Sequence, residues 1–257
     1  NAADGGGLVA EVIDRSGTVT ELAAVSPFYA SWAPDGSGLA IHRQGSAVDV
    51  RTGDGTETIA SPTGAFQAPV WTEEGIVVVR TVNDEQVLSI WQAGEFDDVA
   101  ILEGPVRFSV VGGRVAIQSI ADDPEGGVQA ALRTQSVPAL PGGRLIVIDL
   151  TTGDQVTVSS VLTPMFQWDP TGTRLLFATF ESDESLEFRW NVWEDGAIAE
   201  GPTWQAQPVW FRDVVPFFDQ YVQSISLWSP DGSSYAYPEI VDARPVVTIR
   251  SLDGSEA

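Results

Sequence analysis

The chain reads as an all-β protein built from one repeated unit, and three observations carry that reading. First, an aromatic-led strand, a Trp, a tight turn and a hydrophobic strand recur four times. The copies are FYASWAPDGSGLAIHR (residues 28–43), APVWTEEGIVVVR (68–80), FQWDPTGTRLLFAT (166–179) and ISLWSPDGSSYAY (225–237). Second, further β-branched or aromatic runs bounded by turn residues follow each copy, as in AVDVRTGDG and LIVIDLTTGD. Third, no stretch of useful length carries the helical hydrophobic period. Four-stranded antiparallel units repeated around an axis describe a β-propeller.

The turn inside the repeat has its own chemistry. In Pro34-Asp35-Gly36 and Pro230-Asp231-Gly232, Pro presets φ, Asp accepts the bridge region beside it, and Gly takes the positive φ that closes the hairpin. Asp169-Pro170-Thr171-Gly172 is a looser version, and Thr72-Glu73-Glu74-Gly75 keeps only the Gly. Laid end to end, the units fall at about 28–60, 66–103, 105–161, 165–203 and 223–257. The unit from residue 105 has lost both the Trp and the Pro-Asp-Gly turn, and Gly112-Gly113 supplies a two-residue hairpin turn instead.

Residues 7–24 read as a third and fourth strand with no first or second before them, and residues 223–257 read as a unit that stops short of its fourth strand. The expected ring is a single domain over residues 1–257 with six blades, five and seven being the alternative counts, and a chain truncated at one or both ends. The reason is that an unfinished blade leaves a sheet edge open, a liability that proteins normally cover.

Composition narrows the function classes. Asp and Glu total 36 against 13 basic residues, all of them Arg, for a formal net charge of -23. A field of that sign repels nucleic acid and anionic membrane surfaces. The absence of Cys removes disulfides, thiolate metal sites and cysteine nucleophiles. The longest apolar runs, such as residues 76–79 and 145–148, are far too short to span a bilayer.

The segments FYASWAPDGSGLAIH and ISLWSPDGSSYAY resemble the Trp-Ser-Pro-Asp-Gly repeat of TolB-like propellers, also called PD40 repeats and WD40-like. The resemblance covers four or five motif copies over nearly the whole chain. It implies a bacterial repeat scaffold and transfers no catalytic residues. Families with this repeat include periplasmic scaffold proteins and the propeller lids of prolyl-oligopeptidase-like peptidases, so the resemblance implies an extracytoplasmic (periplasmic, cell-surface or secreted) location.

Catalytic constellations are thin. His42 is the only histidine, set in the second strand of a repeat between Ile41 and Arg43, where a structural His is the expected reading. No Gly-x-Ser-x-Gly elbow occurs, and one His without Cys argues against a zinc site. Carboxylates remain: a pair in the central channel would suffice for glycoside hydrolysis, although 36 acids always offer some suggestive pair. Asp122, Asp123 and Glu125, in the long insertion between Ile120 and Gly143, have oxygen ligands of the kind calcium takes, but a solvated acidic loop is the expected role. The expectation is therefore no catalytic residue, no cofactor and no metal, with those three acids as the weak calcium candidates.

The most unusual stretch is residues 204–221, WQAQPVWFRDVVPFFDQY. Trp204, Trp210, Phe211, Phe217, Phe218 and Tyr221 crowd into it, with Arg212 and Asp213 as a polar rim. Such a segment either packs back onto the domain or docks a partner, for which Trp, Tyr and Arg are favoured anchors. The functional expectation is a non-enzymatic propeller that binds a protein partner through Trp204, Trp210, Phe211, Arg212, Phe217, Phe218 and Tyr221. The alternative is a carboxylate- or calcium-dependent hydrolase or carbohydrate-binding propeller.

Overall fold

In a computed structural model, the described residues are 10–22, 28–43, 47–60, 69–102, 106–119, 144–161, 163–181, 187–205 and 226–253. All regular structure among them is β. The chain divides into two compact units, residues 1–101 and 102–257.

The first unit opens with a hairpin of β1 (Ala10–Ile13) and β2 (Val19–Leu22). Asp14 makes its turn: one carboxylate oxygen accepts from the backbone N–H groups of Ser16 and Thr18. A four-stranded antiparallel sheet follows in chain order, β3 (Phe28–Trp32), β4 (Gly38–Arg43), β5 (Ala47–Thr52) and β6 (Gly55–Ala60). The next has the same order, β7 (Val70–Trp71), β8 (Ile76–Val82), β9 (Glu85–Gln92) and β10 (Glu95–Leu102), the last ending at the unit's border. Ala40, Val48, Val50, Ile59, Ile76, Val78 and Trp91 form the core between these sheets, with Trp71 and Phe96 packed on it.

The second unit holds two more four-stranded sheets. They are β11 (Val106–Val111), β12 (Arg114–Ser119), β13 (Leu145–Asp149) and β14 (Gln155–Ser159), then β15 (Met165–Trp168), β16 (Arg174–Phe180), β17 (Glu187–Glu194) and β18 (Ala197–Gln205). The hairpin of β19 (Ser234–Val241) and β20 (Arg244–Ser251) comes last, preceded by a single bridge from Trp228 to Tyr235. Burying the apolar side of a four-stranded sheet requires a neighbour on each face, and the large core of this unit runs from Ala116 through Trp168, Phe177 and Trp190 to Tyr237.

Turn chemistry explains why the strands pair in this register. Gly36, Gly172 and Gly232 have φ of 73°, 70° and 66°, as the Pro-Asp-Gly reading requires. Elsewhere two-residue turns have both residues at positive φ, as at Asn83-Asp84, Asp195-Gly196 and the predicted Gly112-Gly113, so their twist matches that of the strands. β18 is nine residues long, pairing with β17 on both sides of a register shift between Arg189 and Asn191 and so reaching Gln205.

Candidate interaction site

The repeated Trp is a joint between successive sheets. Trp168, at the end of β15, donates its indole N–H to the Ser109 carbonyl of β11, 3.1 Å away. Trp228 does the same to the Gln167 carbonyl of β15 at 3.2 Å, while the Gln167 side chain accepts from the Leu227 N–H at 2.7 Å. In the first unit the Trp71 ring lies over Gly38, where a Cβ would come within 2.5 Å of Cη2, and the Trp71 N–H donates to Ser31 Oγ at 2.9 Å. Within each unit, β7 is thus seated on the sheet of β3, β15 on β11, and the Trp228 segment on β15.

The exception is Trp32. It is 56% exposed, although Trp168 and Trp228 are only 3% and 4% exposed. Trp32 stands opposite Leu39, and Val12 of β1 packs on the pair Leu39 and Ile41. On the far side of the same hairpin, Ile13 and Val19 face each other with 66% and 53% of their surface in solvent. Next to them Glu11 lies directly across from Glu21, a like-charged pair.

Carboxylates in the structure serve the hairpins. Burial pushes the Asp169 carboxyl up, but the N–H groups of Arg174 and Thr173, the Thr171 hydroxyl and the Arg174 guanidinium outweigh it and hold it below the ordinary value. Asp231 is brought down to about 2 by the Ser229 hydroxyl and by the N–H and hydroxyl of Ser233. In the second sheet of the first unit, hydrogen bonds from the Arg80 guanidinium (2.6 Å) and the Ser89 hydroxyl (2.7 Å) hold Asp98 low. Every described carboxyl that shifts, shifts downward. A shallow cleft of about 390 Å³, lined by Asp35, Trp71 and Glu73 among others, opens between the turns of the first two four-stranded sheets.

Of the expected docking residues, Trp204 alone is described, and the structure corrects its role. It is 2% exposed on β18, stacked on Trp190 with ring centres 5.4 Å apart and planes 8° from parallel, and it touches Phe188 and Tyr237. A side chain sealed on both faces by other rings offers no surface to a partner; its apolar area is spent joining β18 to β19. Trp210, Phe211, Arg212, Phe217, Phe218 and Tyr221 lie outside the described residues, as do Asp122, Asp123 and Glu125. His42 is on β4, paired in register with Tyr29 and Val48. The described residues contain no group of three His, Cys, Asp or Glu side chains able to hold a metal ion, and no helix long and apolar enough to cross a membrane. The exposure of Trp32 was not legible in the sequence, where it carries the same motif as the buried Trp168 and Trp228.

No protein-family model matches the chain, and no curated protein matches it. Solved structures do. TolB from Acinetobacter baumannii matches with a TM-score of 0.51 and 14% identity, over 96% of this chain and 57% of its own. An oligogalacturonate lyase in complex with manganese matches with a TM-score of 0.57 and 12% identity, over 96% of this chain and 69% of its own. A β-propeller domain from Myceliophteria thermophila matches with a TM-score of 0.51 and 11% identity, over 94% of this chain and 75% of its own. The chain therefore spans little more than half the length of that TolB. With its four-stranded antiparallel sheets and Trp-seated joints, the chain has the fold of the TolB-like and WD40-like β-propellers.

Proposed function

We propose that this protein is a non-enzymatic, extracytoplasmic propeller scaffold that binds a protein partner. The observation that carries the reading is the state of its acids. A glycosidase-type general acid needs a carboxyl held above its ordinary value. Here every shifted carboxyl among the described residues moves the other way, held by turn N–H groups, hydroxyls or Arg. Those contacts serve the hairpins and hold the acids ionised. The likeness to TolB supports a scaffold role through fold alone, and the extracytoplasmic assignment follows the same likeness. The lyase has the same fold, so the competing reading is a carboxylate- or calcium-dependent enzyme or sugar binder.

The test is affinity capture with the full chain as bait, comparing it with a folded Trp210→Ser/Phe217→Ser variant. A specific partner captured by the parent and lost by the variant supports the scaffold and places docking in the aromatic stretch. Turnover of a polysaccharide by the parent, abolished by chelation of calcium or by removal of one acid, overturns the proposal.

A further inference from the structure

The scaffold reading, on which this inference rests, gains a docking surface from a gap that the chain fills in one unit and leaves open in the other. In the second unit the space between successive motif turns is filled from within. Arg174 follows the turn 169–172, and its guanidinium pairs with Asp169 at 3.1 Å and lies 5.7 Å from the ring centre of the next motif Trp, Trp228. It also abuts the next turn, where a Cβ on Gly232 would come within 3.1 Å of Arg174 Nη2. The first unit fills the space differently. Trp32 and Trp168 pair with Leu39 and Leu175, each seven residues on, so Gly38 holds the position of Arg174. Glycine sends no side chain towards the next motif Trp, Trp71. The turn after Trp71 is also two residues shorter, since Trp71 pairs with Ile76, five residues on.

What remains there is the cleft of about 390 Å³. Pro34 and the half-buried Trp71 give it apolar walls, and Asp35 and Glu73 border it, one from each turn. The Ser37 hydroxyl and N–H keep Asp35 below its ordinary value, so it is charged at neutral pH. Among the described residues, neither Asp35 nor Glu73 takes part in an ion pair. The cleft lies wholly within the first unit. Its turns are at the far end of the β3–β6 sheet from Phe28, Arg43, Ala47 and Ala60, where that sheet borders undescribed residues. A ring flanked by two carboxylates suits a planar cation, and the chain uses that chemistry twice: Arg174 with Asp169 and Trp228, and Arg80 with Asp98 and the Phe96 ring at 4.2 Å. A second copy of the chain is a poor occupant, because two bodies of net charge -23 repel.

We infer that this cleft receives an arginine side chain from a basic segment of a partner protein. The guanidinium stacks on Trp71 and pairs with Asp35 and Glu73, in the place that Arg174 takes between the turns of the second unit. The acidic field of the whole chain draws such a segment in, and the cleft fixes where it docks.

The probe is the peptide acetyl-Gly-Arg-Gly-amide, titrated into the isotope-labelled full chain and followed by NMR at the indole N–H of Trp71. A saturable shift that weakens as salt rises is expected. The citrulline analogue, equal in shape but uncharged, is expected to leave that signal in place. Affinity for the arginine peptide falls roughly tenfold in the double variant Asp35→Asn/Glu73→Gln. Both side chains are exposed, and an amide at position 35 still accepts the Ser37 N–H, so the melt of that variant is expected to match the parent. No saturable shift of Trp71, equal affinity for the citrulline peptide, or equal affinity in parent and double variant overturns the site. In affinity capture, a partner held by the parent and lost by the double variant supports it. A partner retained by the double variant overturns the cleft and leaves the scaffold reading standing.

Discussion

The indole N–H of Trp228 rests on the carbonyl of Gln167, 3.2 Å away and 61 residues earlier in the chain. The Gln167 side chain returns the contact through the Leu227 N–H, and the Arg174 guanidinium lies 5.7 Å from the Trp228 ring centre. A residue that began as a repeat marker is thus the fastening between one sheet and the next. Replacing it with Phe keeps most of the ring but leaves a buried carbonyl without its donor. Trp228→Phe is expected to lower stability by about 1–2 kcal/mol, read by urea unfolding, whereas Trp32→Phe leaves the midpoint unchanged.

Trp204 separates packing from docking. Its ring is enclosed by Trp190, Phe188 and Tyr237. Trp204→Ala is expected to cost about 3–5 kcal/mol and to lower the melting temperature sharply. A variant that melts like the parent would return Trp204 to the list of docking residues.

Gly38 is held small by its neighbours. A Cβ there would lie 2.5 Å from Trp71 Cη2 and 2.8 Å from the Arg51 carbonyl, which is backbone and cannot swing away. Gly38→Ala is expected to destabilise the chain by about 1–3 kcal/mol. In contrast, Gly53→Ala, with nothing within 4 Å of the new methyl, is expected to be tolerated.

The turn between β19 and β20 carries avoidable strain. Ala243 sits at φ 60°, in the left-handed region that disfavours a Cβ. Ala243→Gly is expected to stabilise the hairpin by about 1 kcal/mol, seen as a higher midpoint in thermal unfolding.

Acid acts on the turns. The Asp231 carboxyl stands at about 2 in the folded chain, against an ordinary 3.8, because the Ser229 and Ser233 groups favour its charged form. Its folded value lies below its unfolded one, so its stabilisation is complete above about 3.8 and is lost as pH falls towards 2. Asp231→Asn is expected to remove that part of the acid sensitivity, so the melting temperatures of parent and variant converge between pH 4 and pH 2. A constant gap over that window would mean the carboxylate does not stabilise the turn.

Local chemistry made the fold readable. Pro34-Asp35-Gly36 and Gly112-Gly113 announce their turns because few other residues reach those backbone angles, and the Gly residues among them do have positive φ. The site was less legible. Trp204 and Trp210 look alike in the sequence, and a row of aromatics does not say which members join a sheet. Only the register shift in β17 and β18, which carries the strand on to Gln205, puts Trp204 inside the packing.

By itself the sequence determined the strand repeat, its hairpin turns, the net negative charge and the absence of thiols, because each depends on residue type and near neighbours. Tertiary structure alone decided which Trp is a fastening and which is left open. Trp32, Trp168 and Trp228 carry the same motif, and their exposures of 56%, 3% and 4% differ because a seat for the indole comes from another strand far away in the chain.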